Sequence, residues 1–185
     1  NDKKIDDILR KQAPVEKLSN NIQKMANNEL GPYWRVKETY HQDNGLDAVL
    51  FETANNFPFL KGDKIQVLAF AGTNVAQAGD LKADLALFFG NESNQSEAAI
   101  QLMKKIKNDS TITNLYITGH SLGGYLSLRA TATAEKDKFG KFKQTYTFNA
   151  PKVKSGWFWG VSKDDVRISE ELAKSGKIKN YYTDN

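Results

Sequence analysis

The stretch LYITGHSLGGYLS, residues 115–127, constrains the fold more than any other part of this 185-residue chain. An apolar, β-rich run ends in G-x-S-x-G, with Ser121 between Gly119 and Gly123, and the helix-forming run LGGYLSLRATATAEK follows at once. Glycines on both sides permit a sharp strand-to-helix corner that any Cβ would obstruct. In such a corner the serine hydroxyl projects from the carboxyl edge of a sheet. The backbone N–H of Leu122 faces the same space, and the helix adds its positive N-terminal end. The pattern points to a nucleophile at Ser121. A serine that merely assists a tight turn is the structural alternative.

The rest of the chain agrees with a fold that uses such a corner. YWRVKETYHQDNGLDAVLFET alternates apolar and polar residues around D-N-G, a hairpin signal. KIQVLAFAGT reads as a buried strand, and AGDLKADLALFF and SEAAIQLMKKIKN as helices. After the serine come the strand QTYTFNAP, the helix DDVRISEELAKSG and a last strand KIKNYYTDN. Strands alternating with helices predict an α/β fold, a mostly parallel central sheet flanked by helices. Residues 1–30 are polar, with apolar positions Ile5, Ile8, Leu9, Val15, Leu18, Ile22 and Met25. They read as a helical extension broken near Pro14.

Composition bounds the chemistry. Hydrophobic residues at 39% and charged residues at 26% suit one globular domain covering residues 1–185. Cysteine is absent, which excludes disulfides, thiol catalysis and Cys-based metal sites. The net charge is +4 with lysines scattered along the chain, a solvated surface that argues against nucleic acid as a partner. It suits transient contact with anionic membrane surfaces. No apolar run approaches the ~18 residues of a membrane span. The chain starts at Asn1 and runs out on its last strand, so truncation at the C-terminus is an expectation.

An acyl-transfer site needs a second oxyanion donor, and losing one typically costs ~3 kcal/mol of barrier. LAFAGTN supplies a candidate: Gly72 frees the backbone, and Thr73 offers an N–H and a hydroxyl, unless the G-T pair only turns the chain. Asp80 and Asp84 share a helix face, but two carboxylates are too few for a metal site, and they read as helix-positioning groups. Phe88 and Phe89 read as core. GWFWG places Trp157, Phe158 and Trp159 together in a loop where they cannot all point inward. They are candidates for an acyl-chain wall or interfacial anchor, with a protein-partner surface and plain packing as alternatives.

Strand–FAGT–helix, ITGHSLGG, strand–TFNAP and strand–NYYTDN together resemble the class 3 (fungal-type) lipases and their bacterial relatives, over roughly residues 45–185. The resemblance implies an α/β-hydrolase fold and hydrolysis of lipid or phospholipid esters without a cofactor or metal. By it Ser121 is the nucleophile, and Thr73 and Leu122 form the oxyanion hole. It also implies export, and secreted bacterial lipase toxins held in check by an immunity protein look similar. Ala71 stands where the family often has Arg, a structural variation.

The family order is Ser, acid, His. Asp184, at the end of the last strand, is the candidate acid, with a residue after Asn185 as the alternative. The chain has two histidines, and neither follows Ser121. His120 adjoins the serine and is expected to pack under the turn or bond the adjacent strand. His41, near the hairpin tip, would need a different chain order, which triads permit. The favoured expectation is a histidine in a C-terminal segment absent from this chain. The rivals are a catalytically incomplete module that binds lipid or a protein partner, and a thioesterase.

Overall fold

The computed structural model describes residues 33–57, 62–72, 92–151 and 161–183. The hairpin forms as expected: β1 (Trp34–His41) and β2 (Asp47–Thr53) pair antiparallel, with His41 opposite Asp47. The D-N-G turn closes it because Gly45 takes φ 85°, in the left-handed region that glycine enters freely. Asn44 Oδ1 accepts the Leu46 N–H at 3.0 Å and completes the turn.

β2 pairs antiparallel with β3 (Ile65–Phe70). Beyond β3 every pairing is parallel, through β4 (Asn114–His120), β5 (Phe142–Phe148) and β6 (Ile178–Tyr181), in the spatial order β1-β2-β3-β4-β5-β6. The crossovers carry α1 (Glu92–Lys107), α2 (Leu122–Lys136) and α3 (Lys163–Lys174). Among the described residues this is an α/β architecture with a mostly parallel six-stranded sheet.

Period-2 alternation decides which side chains meet the helices. Leu68 and Phe70 of β3, Leu115 and Ile117 of β4, and Thr145 and Thr147 of β5 are buried beneath them. α2 packs on β3, β4 and β5, with α1 and α3 beside it. It is buried from Leu122 to Ala134, which its small residues allow. The buried hydroxyls of Ser127, Thr131 and Thr133 donate to carbonyls one turn back at 2.8, 2.7 and 3.1 Å, so their burial leaves no unmet donor.

A polar cluster joins the three helices. Buried Arg129 of α2 donates to Ser96 Oγ at 2.7 Å and to Asp165 Oδ2 at 2.9 Å. Asp165 also accepts from Lys136 and closes a capping box with Ser162 at the start of α3. Burial alone would raise the Asp165 pKa. The hydrogen bonds from Lys136, Arg129 and Ser162 outweigh it and hold the carboxyl well below the usual range.

The topology gathers the carboxyl ends of β3, β4, β5 and β6 along one edge of the sheet, together with the β1–β2 turn. β6 stops at Tyr181, earlier than its sequence suggests, because its partner β5 ends at Phe148 and the pairing runs out. The N-terminal extension, the AGDLKADLALFF helix with Asp80, Asp84, Phe88 and Phe89, and the GWFWG loop lie outside the described residues.

Candidate active site

β4 delivers Ser121 to the carboxyl edge in a conformation that few serines adopt. Its φ is 53° and its ψ −122°, a sparsely populated region for any residue with a Cβ, which typically costs ~1–3 kcal/mol. The Ser121 N–H donates to Phe148 O at 2.9 Å, and the Ser121 carbonyl accepts from the Tyr125 N–H at 3.1 Å. Backbone pairing to β5 and to α2 therefore holds the strained corner on both sides. Ser121 occupies the N-cap position of α2, yet its side chain makes no capping hydrogen bond. An ordinary capping serine has extended backbone angles and bonds the helix N–H groups. Here the hydroxyl is left for another use.

The glycines make the corner possible by close backbone packing. A Cβ on Gly119 would collide with the Gly123 carbonyl and lie 2.7 Å from the Gly124 nitrogen. A Cβ on Gly123 would run into the Phe70 carbonyl at the end of β3, and one on Gly124 would lie 2.6 Å from Ala150 Cβ. The first turn of α2 is thus pressed against the exits of β3, β4 and β5. Leu122, buried, opens that turn, where N–H groups have no intrahelical acceptor. Gly72 leaves β3 beside the elbow, since a Cβ there would lie 2.7 Å from His120 O. Thr73, the next residue, lies outside the described residues.

The histidines divide differently than expected. His120 is exposed and does not pack beneath the turn. Strand alternation turns Gly119 toward α2 and His120 to the opposite face. His41 bonds Asp47 through Nδ1 at 2.5 Å, with about half of its side chain accessible. His41 sits on the same sheet edge as Ser121 but at the end of β1, three strands from β4. At ~4.8 Å per strand that is about 14 Å, too far for direct proton transfer.

Asp184 lies outside the described residues, as do Trp157, Phe158 and Trp159. The chain is described as far as Thr183, and Asn149 holds it there. Asn149, just past β5, has φ 48° and donates its N–H to Tyr181 O at 2.8 Å. Its Oδ1 accepts from the Thr183 N–H at 2.8 Å and the Thr183 hydroxyl at 3.3 Å. TFNAP shows itself in the sequence as a motif, but this contact joins residues 34 apart and has no local signal. The same applies to an aromatic pair: Phe148 and Tyr181 stack with centroids 5.5 Å apart, 45% and 48% exposed. Tyr182 beside them is more exposed still.

Among the described residues no group of His, Cys, Asp and Glu is placed to hold a metal ion, and no helix is long and apolar enough to cross a membrane. The arrangement suits nucleophilic chemistry: a serine freed from capping duty, a helix N-terminus behind it, and exposed aromatic surface one hydrogen bond away. No curated protein and no solved structure gives a significant match to the chain. A family model, described as phospholipase-like and as a Tle-like phospholipase domain, matches residues 11–184. That span takes in nearly the whole sequence and every part of the elbow, and the chain belongs to the Tle-like phospholipase domain family.

Proposed function

We propose that this chain is a serine-dependent phospholipid acyl hydrolase of the α/β-hydrolase type, related to the class 3 lipases. Membership of a phospholipase-like family gives it a lipid substrate. The observation that carries the finer reading is Ser121 itself, strained at φ 53° and ψ −122° and making no cap. Strain of this kind persists where surrounding structure enforces it, and it serves to present Oγ clear of the helix.

In this reading Ser121 Oγ attacks the ester carbonyl as its proton passes to a histidine. The Leu122 N–H and Thr73 stabilise the tetrahedral oxyanion. The intermediate collapses, the lysolipid alcohol leaves with the proton from that histidine, and water then releases the fatty acid from the serine. Asp184 orients the base. His41 is too distant and His120 adjoins the nucleophile on the opposite face, so the histidine is proposed to come from outside these 185 residues. The exposed Phe148–Tyr181 pair and the Trp157–Trp159 loop are proposed to receive acyl chains. Export, transient membrane contact and an inhibitory immunity protein belong to the same proposal.

Product analysis tests it. The full-length native protein is incubated with phosphatidylcholine vesicles, and fatty acid, lysolipid and phosphate-bearing headgroup products are separated. Fatty acid and lysolipid, absent with Ser121→Ala, are expected. Release of a free headgroup, or unchanged products from Ser121→Ala, overturns the proposal.

A further inference from the structure

The rim of the sheet beside Ser121 carries an exposed aromatic ridge. Among the described residues four large hydrophobic side chains are exposed, and three of them, Phe148, Tyr181 and Tyr182, stand together at the ends of β5 and β6. We propose that this ridge, with Lys179 at its flank, is a docking surface for an anionic phospholipid bilayer. The inference deepens the phospholipid reading of the site and rests on it.

Strand register places the ridge. His120 lies opposite Phe148, and Phe148 opposite Tyr181, so the three form one row across β4, β5 and β6 on the sheet face away from α2. On β4 and β5 that face is half-buried further in, at Tyr116, Thr118 and Tyr146, and exposed at the row itself. The cover of the face therefore stops short of the carboxyl edge, where the Phe148 carbonyl accepts the Ser121 N–H at 2.9 Å. A bilayer seated on the row lies within about 10 Å of the strand that delivers Ser121, two strand spacings.

The ridge is also held in place. Phe148 and Tyr181 stack with centroids 5.5 Å apart. Asn149 fixes the chain on both sides of Tyr182, donating its N–H to Tyr181 O and accepting the Thr183 N–H at its Oδ1, each at 2.8 Å. Aromatic rings on a fixed backbone lose little conformational freedom on contact, which lowers the cost of binding. Tyrosine suits the headgroup level of a bilayer, with an apolar ring and a hydroxyl that stays wet. Charge then selects the lipid. Lys179, exposed and on the same face as the ridge, holds Nζ 5.7 Å from the centroid of the Tyr146 ring. β4, β5 and β6 contain no acidic residue, and the chain carries a net charge of +4. An anionic surface is attracted to such a patch more strongly than a zwitterionic one.

Vesicle binding by the full-length native protein bearing Ser121→Ala tests this without consuming the lipid. Flotation with vesicles of phosphatidylcholine, alone or mixed with phosphatidylglycerol, gives the bound fraction at about 0.1 and 1 M salt, where the screening length falls from about 10 to 3 Å. Stronger binding to the mixed vesicles is expected. Adding Lys179→Gln should weaken binding to mixed vesicles about fivefold at the lower salt, with no effect at the higher salt or on phosphatidylcholine alone. Adding Tyr182→Ala should weaken binding to both compositions about fivefold at either salt. Tyr182→Trp should bind more tightly than the parent, a gain that a folding defect does not produce. Equal binding by the parent and all three variants overturns the proposal and leaves the ridge to a protein partner. An effect of Lys179→Gln that persists on phosphatidylcholine overturns the selection for anionic lipid. If no vesicle binds, hydrolysis of phospholipid dispersed in detergent by the native protein decides what falls. Hydrolysis there sinks only the docking surface, and its absence sinks the phospholipid reading as well.

Discussion

Replacing the proposed nucleophile by glycine should make the protein more stable. Ser121 carries a Cβ at φ 53° and ψ −122°, and the associated strain is ~1–3 kcal/mol. Glycine adopts these angles freely, so Ser121→Gly relieves that strain. It also gives the unfolded chain more freedom, which offsets ~0.4–1 kcal/mol of the gain. The Ser121 side chain makes no capping hydrogen bond, so no cap is lost. The net expectation is a stabilisation of about 1 kcal/mol, or ~2–4 °C in melting temperature for a chain of this length. Ser121→Ala keeps the Cβ and hence the strain, and it should melt close to wild type. Scanning calorimetry of the three proteins under one buffer condition makes the comparison, and both variants should be inactive. A Ser121→Gly protein that melts at or below Ser121→Ala would refute the claim that strain is held at this residue.

Further outcomes follow from the same geometry. Gly123→Ala drives a methyl into backbone atoms of Phe70 and Ala71, and the shift of α2 moves the Leu122 N–H. Overpacking of this kind typically costs ~1–3 kcal/mol, and a displaced oxyanion donor lowers kcat ~10²–10³-fold. Gly140→Ala, with nothing within 4 Å of the added methyl, should leave kcat and melting temperature unchanged in the same assays. Asp165→Asn removes a carboxylate that accepts from Arg129, Lys136 and Ser162 and should lower stability by ~3 kcal/mol, as urea unfolding would show. The Asp165 pKa is depressed by folding, so its contribution is complete above the ordinary carboxylate pKa of about 3.9 and lost as pH falls toward the folded value. The gap between wild type and Asp165→Asn should therefore be constant above about pH 5 and narrow in more acid solution. Phe148→Ala and Tyr181→Ala remove exposed rings. They should spare short soluble esters while slowing hydrolysis of long-chain phospholipid vesicles, seen as a rise in apparent KM for the vesicles only.

What was legible in the sequence was local. The D-N-G hairpin, the strand into Gly119 and the helix from Leu122 to Lys136 each depend on residues a few positions apart, and each formed where its pattern placed it. Element ends were less legible, because they are set by partners. β5 begins at Phe142, before the apolar run that marks it, since pairing with Leu115 and packing near Phe139 draw it in. β6 stops at Tyr181 because β5 offers nothing beyond Phe148 except the Asn149 N–H. The Arg129–Asp165 pair and the Asn149–Thr183 contact span 36 and 34 residues, and no periodicity or motif encodes a match at that range. His120 was misread for a different reason. Its place next to the nucleophile suggested burial, whereas simple alternation after buried Gly119 sends it outward.

Covalent capture reads directly whether Ser121 is the nucleophile of a lipid acyl hydrolase, as proposed. Intact-mass analysis after treatment with a fluorophosphonate, on the full-length native protein and its Ser121→Ala variant, reads the reaction at a single atom. One phosphonyl adduct is expected on the native protein, mapped to the peptide containing Ser121, with parallel loss of phospholipid hydrolysis and no adduct on the variant. Hydrolysis that survives without any adduct, or an adduct that persists in Ser121→Ala, would contradict it.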